Sequence, residues 1–398
     1  MNEPVSPAAL ADAVPSYGGA IRHEWALDSD WLTVNHGSYG ATPLVVLKAQ
    51  DEWRRQLEAQ PSRFMRLTLP PALRRAGASL AGFVGARPDD LAFVENATVG
   101  CNAVLRSVAL APGDEILVLG HVYGAVRNTA RHVAATTGAR LVEAVIPFPR
   151  PDADAIVAAV AAQLSPRTRI AVLDHITSSS ALVLPLERMI AQCRAACVPV
   201  LVDGAHAPSQ IELDLARLDA DWYVGNCHKW LMAPKGCGFL VARHDRKDGI
   251  HPVTISQGFG KGFLAEFDWT GTRDPSAYLA VEAAISFHDR LGGSTLRARN
   301  RALADEATQL LAERLGTERG ASAELSGSMG IVRLPLAGEV SSERVANLQA
   351  RLMQEKTDVP LFLHEPGIWL RISAQAYNEI GDYERLAEIV RRIVAQAS

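Results

Sequence analysis

The chain has 398 residues, 48% of them hydrophobic, and a formal net charge of −4 at pH 7. Its length exceeds one ordinary domain and allows a sizeable buried core. Because the sequence contains no basic run and no apolar run long enough to cross a bilayer, it argues against a nucleic-acid or membrane partner and favours a small molecule.

The N-terminal segment 1–20 contains Pro and Gly but neither the basic region nor the apolar region of a signal peptide. We therefore expect a cytosolic protein. Five cysteines form an odd number, and only Cys193 and Cys197 are close in sequence. Small buried side chains explain them better than a disulfide or a metal site, and no metal is expected.

Short β-branched runs alternate with longer helical patterns between residues 91 and 241. The runs lie at 91–94, 115–119, 140–145, 169–173, 198–202, 221–224 and 238–241. This alternation predicts an α/β fold with a mainly parallel seven-stranded sheet. Since ligands of such sheets bind beyond the carboxyl ends of the strands, residues that follow the runs are candidates for a site.

The last third of the chain has a different, α+β pattern. Helical patterns at 275–291, 295–315, 342–354 and 382–397 are interspersed with short apolar runs at 330–336, 360–363 and 368–372. We predict a large domain at 31–290 and a smaller C-terminal α+β domain at 291–398. An N-terminal segment at 1–30 is expected to pack with the small domain.

The first candidate site follows the run at 91–94. Glu95, Asn96, Ala97 and Thr98 open a predicted helix that continues to about residue 108. The free N–H groups of a helix start, together with a Thr hydroxyl, form a cup for phosphate. The alternative is an ordinary N-cap at Asn96 or Thr98.

An aspartate and a lysine follow two later runs. Asp203 ends the run at 198–202, with His206 three residues later, and Lys229 lies beyond the run at 221–224 among aromatic and apolar neighbours. Asp203 could instead cap a turn, and Lys229 could be a surface lysine. Together, a carboxylate for a ring nitrogen and a lysine that forms a Schiff base with an aldehyde suit pyridoxal 5′-phosphate.

Two further segments carry candidates for anion binding. In residues 269–274, Thr272 offers a hydroxyl to a phosphate and Arg273 offers a cation to an acid group of the substrate, although an ordinary turn explains both equally well. Arg371 stands in the apolar run at 368–372, where an unpaired cation is costly. A bidentate contact with a substrate carboxylate, or a structural ion pair, would satisfy it.

Taken together, these residues resemble the class V aminotransferase group of pyridoxal phosphate enzymes, which has the type I fold, and in particular its isopenicillin N epimerase-like branch. The resembling segments are NHGSYG at 35–40, NAT at 96–98, HVY at 121–123, DGAHAP at 203–208, HKWL at 228–231, GTRD at 271–274 and RIS at 371–373. They occur in the family's order and span nearly the whole chain.

The resemblance implies a role for each matching residue. Lys229 would bind the cofactor aldehyde, Asp203 would pair with the pyridine nitrogen, and His206 would contact the phenolic oxygen. The other cofactor-binding residues that it implies are Ala97, Thr98, Ser178, Asn226 and His228, with His121 or Tyr123 stacked on the ring. Thr272 would reach the phosphate of a neighbouring subunit, in a homodimer with shared active sites. The substrate carboxylate would be held by Arg371, with Asn35 and His36 nearby.

The reaction expected first is racemisation or epimerisation at the α-carbon of an amino acid. Lys229 would be the base on one face, and inversion needs a proton donor on the other face, for which Tyr123, His121 and His36 are candidates. A C–S lyase that performs β-elimination uses the same cofactor residues and is the alternative, as are transamination and carbon–carbon bond formation. A non-catalytic cofactor-binding regulator is the alternative from another class.

Two features bear on the substrate. Class V cysteine desulfurases carry a nucleophilic cysteine well after the lysine, whereas here the only later cysteine is Cys237, in the adjacent Gly turn. Persulfide chemistry is therefore not expected, and a C–S lyase that needs no thiol remains open. Arg63, Arg127 and Arg273 are candidates for reading a distal carboxylate, or are ordinary surface charges. The motifs do not identify the substrate.

Overall fold

A computed structural model describes residues 16–338 and 340–396. In this part of the chain the strands are β1 Leu32–Thr33, β2 Leu91–Val94, β3 Glu115–Leu119, β4 Arg140–Ala144, β5 Thr168–Asp174, β6 Val200–Gly204, β7 Trp222–Asn226, β8 Gly238–Ala242, β9 Met329–Arg333, β10 Thr357–Asp358, β11 Leu361–His364 and β12 Gly367–Ser373.

The helices surround these strands. They are α1 His36–Tyr39, α2 Leu44–Ala59, α3 Pro61–Arg63, α4 Leu69–Val84, α5 Ala97–Ser107, α6 Gly124–Thr137, α7 Ala153–Ala161, α8 Leu186–Ala195, α9 Leu215–Leu218, α10 Phe263–Asp268, α11 Ser276–Leu279, α12 Val281–Arg290, α13 Ser294–Leu315, α14 Ser342–Gln354 and α15 Ile380–Ala395. The single helix predicted at 275–291 is thus two helices that meet at Ala280, where ψ is −2°.

The central sheet has seven strands in the order β2-β8-β7-β6-β5-β3-β4. Its strands run parallel except β8, which is antiparallel to both of its neighbours. The predicted mainly parallel seven-stranded sheet is therefore confirmed. The run predicted at 198–202 is shifted, since the strand begins at Val200, after Pro199, which has no N–H for the ladder.

Both faces of this sheet are covered by helices, as a parallel sheet requires. On β3, Ile116 and Val118 pack into a hydrophobic cluster with α5, α6 and α10. Leu117 and Leu119 point to the opposite face and pack with α4, α8 and α12. The alternation follows the two-residue period of a strand and leaves the carboxyl ends of the strands as the open edge.

A second, smaller sheet has its own hydrophobic core. Its order is β11-β12-β9, all antiparallel, and it packs against α13, α14 and α15. Leu32 and Val34 join this core, while Ile21 and Trp25 belong to the core of the central sheet. Residues 1–15 of the predicted N-terminal segment lie outside the described residues, and the division into domains stays a prediction. Within the described ranges, no helix is both long and apolar enough to span a bilayer.

Candidate active site

The carboxyl ends of the central strands meet at a cavity of about 510 Å³. The predicted site residues that line it are Ala97, Thr98, Tyr123, Ser178, Asp203, His206, Asn226, His228 and Lys229. Residues from β6, β7, the start of α5 and the connecting loops thus converge at the edge of the sheet where α/β folds bind their ligands.

Asp203 lies on β6 and is only 4% exposed. Its Oδ1 accepts a hydrogen bond of 3.0 Å from the N–H of Ala205, so it caps its turn while it also lines the cavity. Burial raises the pKa of Asp203, whereas the Ala205 N–H and the positive charge of Lys229 oppose the rise. A protonated ring nitrogen beside this carboxyl would supply a positive charge that stabilises its ionised form.

Lys229 projects from a tight turn that follows β7. The turn is closed by two backbone hydrogen bonds, from Met232 N–H to Lys229 O and from Ala233 N–H to Cys227 O. The Nζ atom of Lys229 lies 3.1 Å from Nε2 of His206. Burial lowers the pKa of Lys229 to about 7, the cation Arg371 adds to this effect, and Asp203 opposes it.

Trp230 determines which ring nitrogen of His206 carries the proton. The indole Nε1–H can only donate, and it lies 3.3 Å from Nδ1 of His206, so we assign the ring proton to Nε2. That proton faces Lys229 Nζ, which can accept it only as a neutral amine. Burial lowers the pKa of His206 well below its usual range, in agreement with a neutral ring. The lysine of the cavity is thus held in the form that attacks an aldehyde or takes a proton.

The start of α5 contains both an N-cap and a candidate phosphate-binding hydroxyl, which were the two predicted alternatives. Asn96 is an N-cap, because its Oδ1 accepts a hydrogen bond of 3.0 Å from Val99 N–H. Thr98 lines the cavity, as a phosphate-binding hydroxyl must. The N–H of Ala97, however, donates to Oδ1 of Asn226 at 2.8 Å, so these two predicted phosphate residues bind each other. Asn226 therefore ties β7 to the start of the helix.

Arg371 is only 1% exposed, and its two terminal nitrogens bind polar groups of the protein, whereas its Nε has no hydrogen-bond partner among the described residues. One terminal nitrogen donates to the carbonyl of Ser178, and the other donates to Oδ1 of Asn35 at 3.1 Å and to Oγ of Ser38 at 2.8 Å. Burial lowers its pKa to about 10. Of this group Ser38 and Ser178 line the cavity, while Arg371 and Asn35 do not. A contact between Arg371 and a substrate carboxylate stays a prediction.

His36 lies away from the cavity, contrary to its proposed use as a proton donor. Its Nε2 donates to the carbonyl of Lys229 at 3.0 Å, so its Nδ1 accepts from the hydroxyl of Tyr377 at 2.9 Å. Burial lowers its pKa to about 3. With both nitrogens bonded, His36 supports the backbone of the lysine turn and leaves none for a substrate.

His121 also lies outside the lining of the cavity. Its Nδ1 is 2.8 Å from Oγ of Ser180, and its ring packs against His364 and Phe148. Burial lowers the pKa of His121 to about 3, and the charges of His364 and Arg127 add to this effect. Of the two aromatic residues predicted to stack on the cofactor, Tyr123 is the one that lines the cavity, and its side chain is 46% exposed.

Two predicted anion-binding arginines are paired with acids of the protein. Arg273 forms an ion pair with Glu95, which lines the cavity, and Arg127 forms one with Glu143. Both guanidinium groups, which are candidates for binding a substrate acid, thus have an acidic partner within the protein. Thr272 is exposed and outside the lining, so its contact with a neighbouring subunit stays a prediction.

The cavity is also lined by residues for which the sequence pattern indicated no role. Among them are Ser38, Tyr39, Asp174, Ile176 and Lys235. Asp174 is the most informative, since it ends β5 as an aspartate that is only 2% exposed. The signal that identified Asp203, an acidic residue directly after an apolar run, was also present at Asp174, one residue beyond the predicted run at 169–173.

Comparison with known proteins adds sequence and structural relatives. The family described as Aminotransferase class-V matches residues 40–350. Putative L-cysteine desulfhydrase 1 of Oryza sativa subsp. japonica is 36% identical over 91% of this chain and 83% of its own length. Isopenicillin N epimerase of Amycolatopsis lactamdurans is 36% identical over 94% of this chain and 97% of its own length. The cysteine desulfurase CsdA of Escherichia coli superimposes with a TM-score of 0.77 at 22% identity, covering 95% of this chain and 98% of that chain.

Proposed function

Because the chain belongs to the class V aminotransferase family, we propose that it is a C–S lyase that removes sulfide from cysteine or a related β-thio amino acid. Its fold is the type I fold of pyridoxal phosphate enzymes, and its cofactor is pyridoxal 5′-phosphate. Racemisation or epimerisation, which the sequence placed first, becomes the second candidate.

The polar groups of the cavity fit this cofactor. Lys229 offers an amine to the aldehyde, Asp203 offers a buried carboxylate to the ring nitrogen, and Thr98 at the start of α5 offers a hydroxyl to the phosphate. Tyr123 lies at the same cavity as the aromatic side chain for the ring face. When bound, the cofactor draws electrons from the α-carbon of an attached amino acid, so that a proton can leave that carbon.

Lys229 is the base of the proposed reaction. Its pKa of about 7 leaves a substantial neutral fraction at neutral pH, and Nζ in that form takes the α-proton. The Nε2–H of His206 holds Nζ in place from 3.1 Å. The protonated Nζ is then available to give its proton to the departing thiolate. In sum, cysteine and water yield pyruvate, hydrogen sulfide and ammonia.

The observation that carries this proposal is the position of the base Lys229 and of its partner His206. Lys229 and His206 form one connected pair at the cavity, and elimination needs a base on one face only. Of the three candidates for a donor on the opposite face, His36 has both nitrogens bonded and His121 lies outside the lining. The similarity to the rice protein named as a putative L-cysteine desulfhydrase supports the same reaction.

The one cysteine that follows Lys229 in the sequence supports release of sulfide rather than formation of a persulfide. Cys237 is fully buried, and burial raises its pKa well above the usual range. A thiol of this kind is neither ionised nor accessible, so it is a poor nucleophile towards the sulfur of a substrate.

Epimerisation is kept as a second candidate because of Tyr123. Its hydroxyl-bearing side chain is 46% exposed at the cavity and could donate a proton from the face opposite Lys229. The similarity to the epimerase of Amycolatopsis lactamdurans supports this alternative. We further propose a cytosolic homodimer, for which the exposed position of Thr272 is compatible with a contact to a second subunit.

Product analysis tests the proposed lyase. The cofactor-loaded protein is incubated in heavy water with L-cysteine, L-cystine and a panel of other amino acids, and sulfide, keto acid and deuterium at the α-carbon are measured. We expect sulfide and pyruvate in equal amounts from cysteine. Borohydride reduction followed by mass analysis should label residue 229.

The Lys229→Ala variant is the control and should release neither product while keeping the fold. Deuterated amino acid of inverted configuration, formed without keto acid, would contradict the lyase and establish the epimerase. A protein that shows no spectral change of the bound cofactor with any amino acid would contradict both reactions.

A further inference from the structure

Asp174 and Asp203 form a pair of buried carboxyl groups at the bottom of the cavity. They stand opposite each other in the register of the parallel strands β5 and β6, at 2% and 4% exposure. Paired residues on adjacent strands are separated by about 5 Å. Two ionised carboxylates this close and this buried repel each other strongly, so the pair retains a proton at neutral pH.

The cations near the pair do not neutralise two negative charges. Lys229 is the cation that acts on Asp203, and with a pKa of about 7 it carries a full positive charge in only part of the molecules at neutral pH. Arg127, on α6, acts on Asp174 from a distance while it is ion-paired with Glu143. The other titratable groups beside the pair are Cys101 of α5 and Tyr223 of β7, and burial keeps both neutral by raising their pKa values.

The two carboxyl groups have different surroundings. Asp203 receives the N–H of Ala205 and has the lysine as a partner. The nearby backbone N–H groups of Asp174 and Tyr123 lower the pKa of Asp174 only in part, and its Oδ2 is buried without a hydrogen-bond partner among the described residues. A carboxylate oxygen left unpaired in this way is costly, and a proton on it removes most of the cost. Burial and the charge of Asp203 raise the pKa of Asp174 well above its usual range.

We propose that Asp174 is a positioning residue that carries the proton of this pair and so leaves Asp203 ionised for the ring nitrogen. It acts through Asp203, without direct contact with the substrate. Its effect on the bound cofactor rests on the cofactor-dependent function proposed above, whereas its protonation is a property of the cofactor-free protein.

Infrared spectroscopy of the cofactor-free protein tests the protonation directly. The carbonyl stretch of a protonated carboxyl group should be present in the wild type, should shift in heavy water, and should disappear in Asp174→Asn. It should persist in Asp203→Asn, the matched control on the neighbouring strand. A wild-type spectrum without a band that Asp174→Asn removes would overturn the proposal.

Cofactor titration tests the positioning role. Asp174→Asn replaces a neutral acid by a neutral amide of the same shape, so we expect less than about a threefold change in affinity for pyridoxal phosphate and an unchanged pH profile of its visible absorbance. Asp203→Asn should weaken binding by more than about 100-fold, because it removes the charge that the ring nitrogen needs.

An Asp174→Asn variant whose absorbance profile shifts as that of Asp203→Asn does would show that Asp174 is ionised, and would overturn the proposal. These measurements remain decisive if the protein proves to be an epimerase, because none of them depends on the reaction. Failure of the cofactor to bind the wild type would instead contradict the proposed function, while the infrared test would still decide the protonation of Asp174.

Discussion

Trp230 acts on the lysine next to it in sequence through a third residue, His206. In Trp230→Phe the ring of the histidine loses the donor at Nδ1, so its tautomer is no longer fixed. One neutral hydrogen bond contributes about 1 kcal/mol, and we therefore expect kcat/KM to fall about five- to tenfold with the fold unchanged. Trp222→Phe is the matched control, since its Nε1 donates to the carbonyl of Arg246 away from the cavity. Equal losses in the two variants would contradict the role of Trp230.

The lowered pKa of Lys229 predicts how cofactor capture depends on pH. The pKa falls from 10.5 to about 7 because burial disfavours the ammonium form, so the amine is protonated below about pH 7 and neutral above it. The rate at which cofactor-free protein binds pyridoxal phosphate covalently should rise about tenfold from pH 6 to pH 8 and then level off. Stopped-flow absorbance measures this rate. A rise that begins only near pH 10 would show that the lysine is solvated.

Single residues of the site were predictable to different degrees. Lys229 and Asp203 are charged residues that stand beside apolar runs at strand ends. Their positions at the cavity could therefore be inferred from the sequence. The places of His36 and His121 could not, because what separates a cavity histidine from a buried one is the set of partners brought by distant segments. Tyr377 and Phe148 are such partners.

At the scale of elements, the N-cap of α5 links helix stability to phosphate binding. Asn96→Ala removes the acceptor of the Val99 N–H and should cost about 1 kcal/mol of unfolding free energy. It should also weaken cofactor binding, because the helix start that faces the cavity frays. Asp152→Ala is the matched control: it removes the N-cap of α7, where Oδ1 accepts from Ala155 N–H, and Asp152 is not among the residues of the cavity.

Thermal unfolding and cofactor titration of the two variants separate the effects. Both should lose a similar amount of stability in the cofactor-free state, and only Asn96→Ala should lose affinity for the cofactor. Unchanged affinity in Asn96→Ala would mean that the phosphate is held elsewhere.

The number of central strands was easier to predict from the sequence than the direction of each strand. β-branched runs bounded by helical patterns indicated all seven strands. The direction of β8 depends on its connection, and the link 227–237 from β7 contains the lysine turn instead of a crossover helix. A connection without a helix returns the chain antiparallel. Because this link replaces a crossover helix, Lys229 lies directly beyond the carboxyl end of β7.

At the scale of the whole molecule, the predicted shared sites can be tested by mixing subunits. Lys229→Ala should abolish activity, and Thr272→Ala should weaken cofactor binding at the neighbouring subunit's site. In a mixed dimer, the subunit with Thr272→Ala keeps its lysine and receives the intact threonine of the other subunit. We therefore expect co-expressed, differently tagged variants to recover up to about half of the wild-type activity per dimer.

Each variant expressed alone is the control for this experiment, and sedimentation measures the assembly. Recovery no greater than the sum of the separate variants would show that Thr272 does not serve a neighbouring site. A monomeric wild type would contradict the shared site altogether.

The hydrogen bonds of His36 to Lys229 and Tyr377, and of Gly37 N–H to Oγ of Ser373, join residues 36–37 to the lysine turn and to residues 373–377. During translation, all strands of the central sheet are therefore synthesised before Ser373 and Tyr377, the residues that hold α1 against the lysine turn. Nascent chains stalled before residue 373 should bind the vitamin poorly although they contain its attachment point. Binding of vitamin B6 would then require that residues 373–377 have been synthesised.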